Sequence, residues 1–310
     1  MNLSHPEWRR EPVHTAWRFT TSLIRRRFVR LRQTMVLHDE GRSKMIADLR
    51  TALGLRLYRY GYRDPDLDLV RHLLCPGDVF VDGGANVGLF SLVAAACVGA
   101  EGKVIAFEPA PATRERLAAN LALNAFDWVE LRAQALAGGS GQVEFVAFPG
   151  DGAGLSSFAP ANPQGGHVET VDTVALDEVI AESDRARITL IKLDLEGAEL
   201  HALQGAADLI ATENAPDLLI EVEPDHLARQ GASAIALREL LIQAGYLLFR
   251  PEWDESGQVI LMSTSPGATP AGGRPNLYAT KNTARAQRGG IAIVGSDAGV
   301  GGVGGKESTS

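Results

Sequence analysis

The chain has 310 residues, 45% of them apolar and 22% charged, enough to bury the core of one large α/β domain with extensions, or of two small domains. A pI near 5.4 and a net charge of −8 give no overall drive toward nucleic acid. Cys75 and Cys97 sit in apolar surroundings and outside any Cys-x-x-Cys pair, which argues against a disulfide framework and a zinc site; a reducing, cytoplasmic location is expected.

The charge is unevenly placed. Residues 1–60 hold 13 Lys and Arg against 5 Asp and Glu, whereas the remainder holds 17 against 33. A basic arm on an acidic body implies docking onto the body, onto a second copy in a homo-oligomer, or onto an anionic surface. The opening "MNLSHPEWRREP" has no apolar signal core. Residues 15–35 place Trp17, Ile24, Phe28, Leu31 and Met35 on one helical stripe, with Arg25, Arg26, Arg27, Arg30 and Arg32 over much of the rest. This predicts a basic amphipathic helix within an N-terminal helical extension over 1–60. Such a helix can lie on a membrane; packing on the body or another subunit is the favoured reading. The longest nearly apolar stretch, "VGLFSLVAAACVGA" at 87–100, is too short to span a bilayer and suits a buried helix.

From about residue 78 strands and helices alternate. "DVFVDG" reads as a strand, "GLFSLVAAACV" as a helix, "KVIAFEP" as a strand, "PATRERLAANLALN" as a helix and "WVELRAQAL" as a strand. This rhythm predicts βαβ units and a parallel sheet covered on both faces. Residues 138–172 break it: "GQVEFVAF" reads as an added antiparallel strand, and "PGDGAGLSSFAPANPQGGH" as a long loop and plausible lid holding Ser156, Ser157 and His167. The alternation resumes through "VALDEVIAE", "ITLIKLDLEG", "AELHALQGAADLIA", "PDLLIEVEP", "SAIALRELLIQAG" and "YLLFR". A final strand pair is expected from "GQVILMS" and "NLYAT", and a glycine-heavy, unpacked tail over 283–310.

The segment "FVDGGANVG" at 80–88 poses the ligand question. Ligands of open parallel sheets bind at the carboxyl ends of strands, where Asp82 to Gly88 fall. The dinucleotide pattern Gly-x-Gly-x-x-Gly fails because Ala85 occupies its third position, and no Lys-Ser/Thr pair follows to make a P-loop. Glu108 ends the next strand, where an acid accepts hydrogen bonds from both hydroxyls of a ribose. A turn without the phosphate pattern, followed by a ribose-binding acid, suits a nucleoside lacking phosphates, of which S-adenosylmethionine is the common example. Asp82 would reach its amino group directly or through water, and Gly84 would leave room for the methionine portion.

With those residues in place, the sequence resembles the FkbM family of S-adenosylmethionine-dependent methyltransferases. The likeness runs in order through "GDVFVDGGANVGLFSL", "GKVIAFEPAPATRERLAANLALN", "VELRAQAL", "TVALDEVI", "ITLIKLDLEGAELHALQGA" and "LLIEVEP", covering about residues 60–250, with "NLYAT" similar to the closing strand. The resemblance implies a class I methyltransferase: a Rossmann-like, seven-stranded sheet, mostly parallel with the last strand antiparallel, flanked by helices, in a domain over 61–282. It implies that Asp82, Gly84, Asn86 and Gly88 hold the methionine end, that Glu108 holds the ribose, and that Gln134 and Ala135 border the adenine. Gly83 stands where the family more often has a β-branched residue, which should loosen the turn without abolishing binding. Methyl transfer to a hydroxyl is the implied chemistry.

An alcohol needs a base or a metal before it attacks the sulfonium methyl. Asp194, after the fourth strand, is the first candidate for the methyl-transfer centre. Glu196 follows, either in the site or as an acid complementing a helix dipole. Glu221 and Glu223 point to the same side at the end of the fifth strand, with His226 just beyond. Asp194 with Glu221 would suit Mg²⁺, but nothing in the sequence requires a metal and none is expected. The expected acceptor is a small molecule, polyketide-type or sugar, and not a nucleic acid. The rivals are a nicotinamide-dependent oxidoreductase, whose glycine fingerprint and Tyr-x-x-x-Lys pair are missing, and a non-catalytic protein of the same fold: Asp82, Glu108 and Asp194 argue against one that has lost the cofactor, while a binder that retains it stays open.

Overall fold

Asp64 and Ser233 show how the chain marks its helices: each accepts a hydrogen bond from a backbone amide of the turn it opens, Asp64 from Asp66 and Ser233 from Ala236, and Pro65 fills a first-turn position that has no amide to lose. The computed structural model describes residues 12–27, 34–40, 42–147, 157–158, 167–264 and 276–295.

The main sheet is built from β1 (Val79–Gly83), β2 (Lys103–Phe107), β3 (Val129–Arg132), β4 (Ile188–Leu193), β5 (Asp217–Glu221), β6 (Leu247–Trp253), β7 (Val259–Ser263), β8 (Asn276–Thr280) and β9 (Ala292–Val294). Its order is β9-β7-β6-β8-β5-β4-β1-β2-β3. Strands β1 to β5 run parallel, and β8 lies antiparallel between β5 and β6. This is the class I methyltransferase sheet, its closing strand antiparallel as the resemblance implies. Two strands extend it: β7 pairs antiparallel with β6, and β9 pairs parallel with β7. The expected pairing of "GQVILMS" with "NLYAT" is therefore corrected; each pairs with β6, from opposite sides.

The central strands are buried on both faces, so they read as apolar runs rather than alternations. Val79, Val81, Ile105 and Ile191 join Leu203, Leu237 and Leu241 in one core layer, while Phe80, Val104 and Leu190 join Leu69, Leu92 and Val93 in the other. The helix Leu89–Val98 is apolar all round and buried, as expected.

Two boundary expectations change. The N-terminal extension is not wholly helical: after the helix Pro12–Arg27 come a hairpin, Thr34–Asp39 with Ser43–Asp48, and the helix Ala52–Tyr60. Met35 thus lies in a strand, and Phe28 and Leu31 lie outside the described residues. Period-two burial wins here, with Ser43, Met45 and Ala47 inward. The hairpin docks through the amides of Lys44 and Ile46, which donate to Asn124 and Asn120. The basic helix meets the helix Ala52–Tyr60 of the same extension, where Thr21 and Tyr58 share a hydrogen bond of 2.8 Å and Arg59 lies over the Phe19 ring; Trp17 stays 59% exposed.

At the other end, residues 283–295 are not an unpacked tail. The helix Thr283–Arg288 and β9 follow β8, with Ala286 and Ile291 buried. Arg285, Tyr278 and Thr280 all donate to the buried carboxylate of Asp217. Gly289 is there for close packing, since a Cβ would overlap the carbonyl of His72. Residues 296–310 lie outside the described residues. A four-stranded side sheet, in the order Ala135–Leu136, His167–Val174, Gly141–Ala147, Ser157–Phe158, contains the added antiparallel strand; the rest of the expected lid, Ser156 included, is outside the described residues. Among the described residues no helix is long and apolar enough to cross a membrane.

Candidate active site

A pocket opens at the carboxyl ends of β1, β2 and β4. Its wall includes Gly84, Asn86, Glu108, Gln134, Ala135, Asp194 and Glu196, seven of the sequence candidates, closed by the apolar side chains of Phe107, Leu136, Phe145 and Leu195. Phe145 comes from the side sheet, which is how the break in the βα rhythm contributes to the site.

Glu108 is 6% exposed. Its Oε2 accepts the Asn86 amide at 2.8 Å and its Oε1 the Ala110 amide at 2.9 Å. Burial nevertheless pushes its pKa up to about 7 against those amides, Lys192 and Arg114. Each oxygen keeps a further lone pair, so the carboxylate can still accept two hydroxyls. Asn86 adopts a positive φ of 50°, which asparagine tolerates, and its own Oδ1 accepts the Val87 amide.

Asp82 and Gly88 are not among the pocket-lining residues. Asp82 is fully buried; Oδ2 accepts the Ser91 hydroxyl at 2.6 Å, and Oδ1 lies 3.3 Å from Lys192 Nζ. Gly88 precedes the first turn of the helix Leu89–Val98 with φ 97°, and a side chain there would strike Leu117. Gly84 lines the pocket, but its missing side chain makes room for protein: a Cβ would overlap the Asp194 carbonyl oxygen. Gly83 is explained likewise, because a Cβ would come within 2.9 Å of Leu136 and 3.0 Å of Leu193.

Lys192 ties the two halves together. It is buried on β4 and donates to the carbonyls of Gly84 at 2.9 Å and Gly83 at 3.2 Å, with Asp82 and Asp194 at 3.3 and 3.5 Å. Burial alone would lower its pKa; Asp194, Asp82 and Glu221 outweigh it and raise the value. Glu199, 1% exposed, accepts the amides of Leu195 and Gly197 and so fixes the loop after β4. It, not Glu196, is the acid in the first turn of the helix Glu199–Gln204. Lys192 and Glu199 both lie within "KLDLEGAE" but carry no role in the sequence pattern alone; a charged residue inside an otherwise apolar strand is the signal for Lys192.

The remaining candidates converge. His226, in the helix Pro224–Arg229, has Nδ1 2.9 Å from Glu196 Oε2 and 3.5 Å from Glu221 Oε2. Burial, with Asp194 and Glu199 adding to it, raises the Glu196 pKa to about 8. Burial, then Asp194 and Glu196, raises Glu221 as well, while burial and Arg229 lower His226. Glu223 stays outside the cluster, at the N-cap of the His226 helix.

Comparison with known proteins places residues 82–248 in the methyltransferase FkbM domain. The chain is 30% identical over 235 residues to the AMB antimetabolite synthetase AmbE of Pseudomonas aeruginosa, 63% of this chain and 11% of that protein. It is 33% identical over 154 residues to the methyltransferase sdnD of Sordaria araneosa, 40% of this chain and 59% of that one. It is 27% identical over 150 residues to the hexuronic acid methyltransferase AglP of Haloferax volcanii, 47% of this chain and 59% of that one. The chain thus spans less than two thirds of the length of each of these relatives. The expected cofactor, S-adenosylmethionine, stands with the domain assignment.

Proposed function

This chain belongs to the FkbM methyltransferase family, and from that premise we propose that it transfers the methyl group of S-adenosylmethionine to a hydroxyl oxygen of a small molecule. The observation that carries this reading is one pocket whose wall holds both Glu108, a carboxylate suited to a ribose, and Asp194, a carboxylate suited to taking the proton of an acceptor. Transfer needs the acceptor oxygen behind the methyl carbon, in line with the carbon–sulfur bond. Holding that geometry can supply roughly 7–11 kcal/mol of barrier reduction, and a placed base about 10²–10⁴-fold in rate. Asp194 is the group at the centre: it lies beside Gly84 and is held by Lys192. Gly84, Asn86 and the turn behind them, with Asp82 beneath, serve the methionine end, and Gln134 and Ala135 the adenine side.

The acceptor class remains polyketide-type or sugar. The sugar arm draws support from the relative described as a hexuronic acid methyltransferase. An acidic body argues against a nucleic-acid acceptor. Titration calorimetry with S-adenosylhomocysteine and with NADH tests the cofactor, and mass spectrometry of hydroxylated polyketides and uronic sugars incubated with S-adenosylmethionine tests the acceptor. A methyl group on oxygen is expected. NADH binding without S-adenosylhomocysteine binding, or methylation at nitrogen or carbon only, would overturn the reading.

A further inference from the structure

We propose that Glu196, Glu221 and His226 form a divalent-cation site at the edge of the cofactor pocket. Its role toward the acceptor rests on the hydroxyl-transfer reading above; the site itself stands on geometry. Glu196 Oε2, Glu221 Oε2 and His226 Nδ1 all lie within 4.8 Å of one another. The imidazole nitrogen is 2.9 Å from the first and 3.5 Å from the second. An ion with bonds of about 2.1 Å sets neighbouring ligands roughly 3–3.5 Å apart, as the two imidazole contacts are, and the two carboxylate oxygens lie within 4.8 Å of each other.

These three atoms are closed off from solvent and have no hydrogen-bond partner in the structure. Each side chain is only 16–19% exposed. Buried polar atoms are as a rule satisfied, yet no hydrogen bond joins His226 to Glu196 despite their 2.9 Å separation. Three orphaned atoms pointing at one another from three segments are what a missing common partner leaves behind.

The convergence is supported from outside. Glu196 comes from the loop after β4, Glu221 from the end of β5 and His226 from the next helix. Gly197 lets the first and third segments touch, because a Cβ there would overlap the His226 carbonyl. Glu199 pins the same loop through two amides. One imidazole nitrogen with two carboxylate oxygens suits Mn²⁺, Fe²⁺, Co²⁺, Ni²⁺ or Zn²⁺ better than Ca²⁺ or Mg²⁺, which favour oxygen ligands alone.

Three protein ligands leave open positions on the ion, and Glu196 is also a wall of the pocket. An acceptor hydroxyl bound there loses its proton more readily, to the Asp194 carboxylate on the same pocket wall. Its oxygen then forms the new bond to the methyl carbon as the carbon–sulfur bond breaks. The bonding pair stays on sulfur and leaves a neutral thioether.

The test uses the full chain, stripped with EDTA, dialysed and titrated with MnCl₂ while free Mn²⁺ is read by electron paramagnetic resonance. S-adenosylhomocysteine binding is measured alongside by calorimetry. One Mn²⁺ per chain is expected, weakened at least 10-fold in Glu221→Gln and His226→Ala. Should the alanine variant also lose S-adenosylhomocysteine binding, and so its fold, His226→Gln replaces it. No Mn²⁺ binding by the unaltered protein, or equal binding by the variants, overturns the metal site and leaves the cofactor reading standing if S-adenosylhomocysteine still binds. Mn²⁺ binding without S-adenosylhomocysteine binding does the reverse.

Discussion

Glu108 and Glu196 wall the same pocket and both titrate above the ordinary carboxylate range because they are buried, yet their surroundings differ. Both oxygens of Glu108 accept backbone amides from the two loops it joins, so that corner is finished before any ligand arrives. Glu196 and its neighbours Glu221 and His226 present unsatisfied atoms to one another. Burial alone does not tell a structural acid from a chemical one; the pairing of the remaining lone pairs does. The first arrangement suits a preformed grip on a sugar, the second a centre completed by something that binds.

The largest expected effect lies on the acceptor side. Asp194→Asn keeps the shape and removes the charge, and should cut turnover by about 10²–10⁴-fold while leaving S-adenosylhomocysteine affinity within a few-fold. Steady-state kinetics with calorimetry checks this, and near-normal turnover would remove Asp194 from the centre. Next comes the residue that serves both sides. Lys192→Met leaves the buried Asp82 without its cation and should destabilise the fold by roughly 3–5 kcal/mol in denaturant titrations; a loss under 1 kcal/mol would mean Lys192 is not the tie between the halves.

On the cofactor side, Glu108→Ala removes two charged acceptors and should weaken S-adenosylhomocysteine binding by about 10- to 100-fold with the circular dichroism spectrum unchanged. Unaltered affinity would end the ribose assignment. The smallest effect is in pH. The folded Glu108 carboxyl titrates near 7 against 4.5 ordinarily, so the native state holds its proton more tightly, and this group's contribution to stability declines as pH rises through that window. Ribose hydroxyls need the ionised form, so cofactor affinity moves the opposite way and should improve by up to about 10-fold from about pH 6 to about pH 8. In Glu108→Gln the pH profile should be flat; a slope that survives there belongs to another group.

Much of the site could be read along the chain, because its parts sit where strands end. Asp82, Glu108, Asp194 and Glu221 each fall in a strand end or the turn after it, a position visible from apolar runs meeting glycines. What those residues touch could not be read. Gly84 was expected to make room for a ligand, whereas it admits the Asp194 carbonyl. Lys192 looked like one residue of a motif, yet it is the cation between Asp82 and Asp194. The glycines after residue 283 suggested an unpacked tail, although Gly289 is the close contact that seats the terminal helix.

By itself the sequence determined the alternation of strands and helices that begins near residue 78, the chain positions of the acids and the absence of a phosphate-binding turn. All of these follow from side-chain period and backbone freedom within a few residues. Only the tertiary structure decided that β8 would slip between β5 and β6, that Asp217 would gather Tyr278, Thr280 and Arg285, and that His226 would meet Glu196 across a glycine. Those contacts join residues from roughly 30 to almost 70 positions apart. Their partners are chosen by which strands lie side by side, a property of the packed sheet that no local stretch of residues carries.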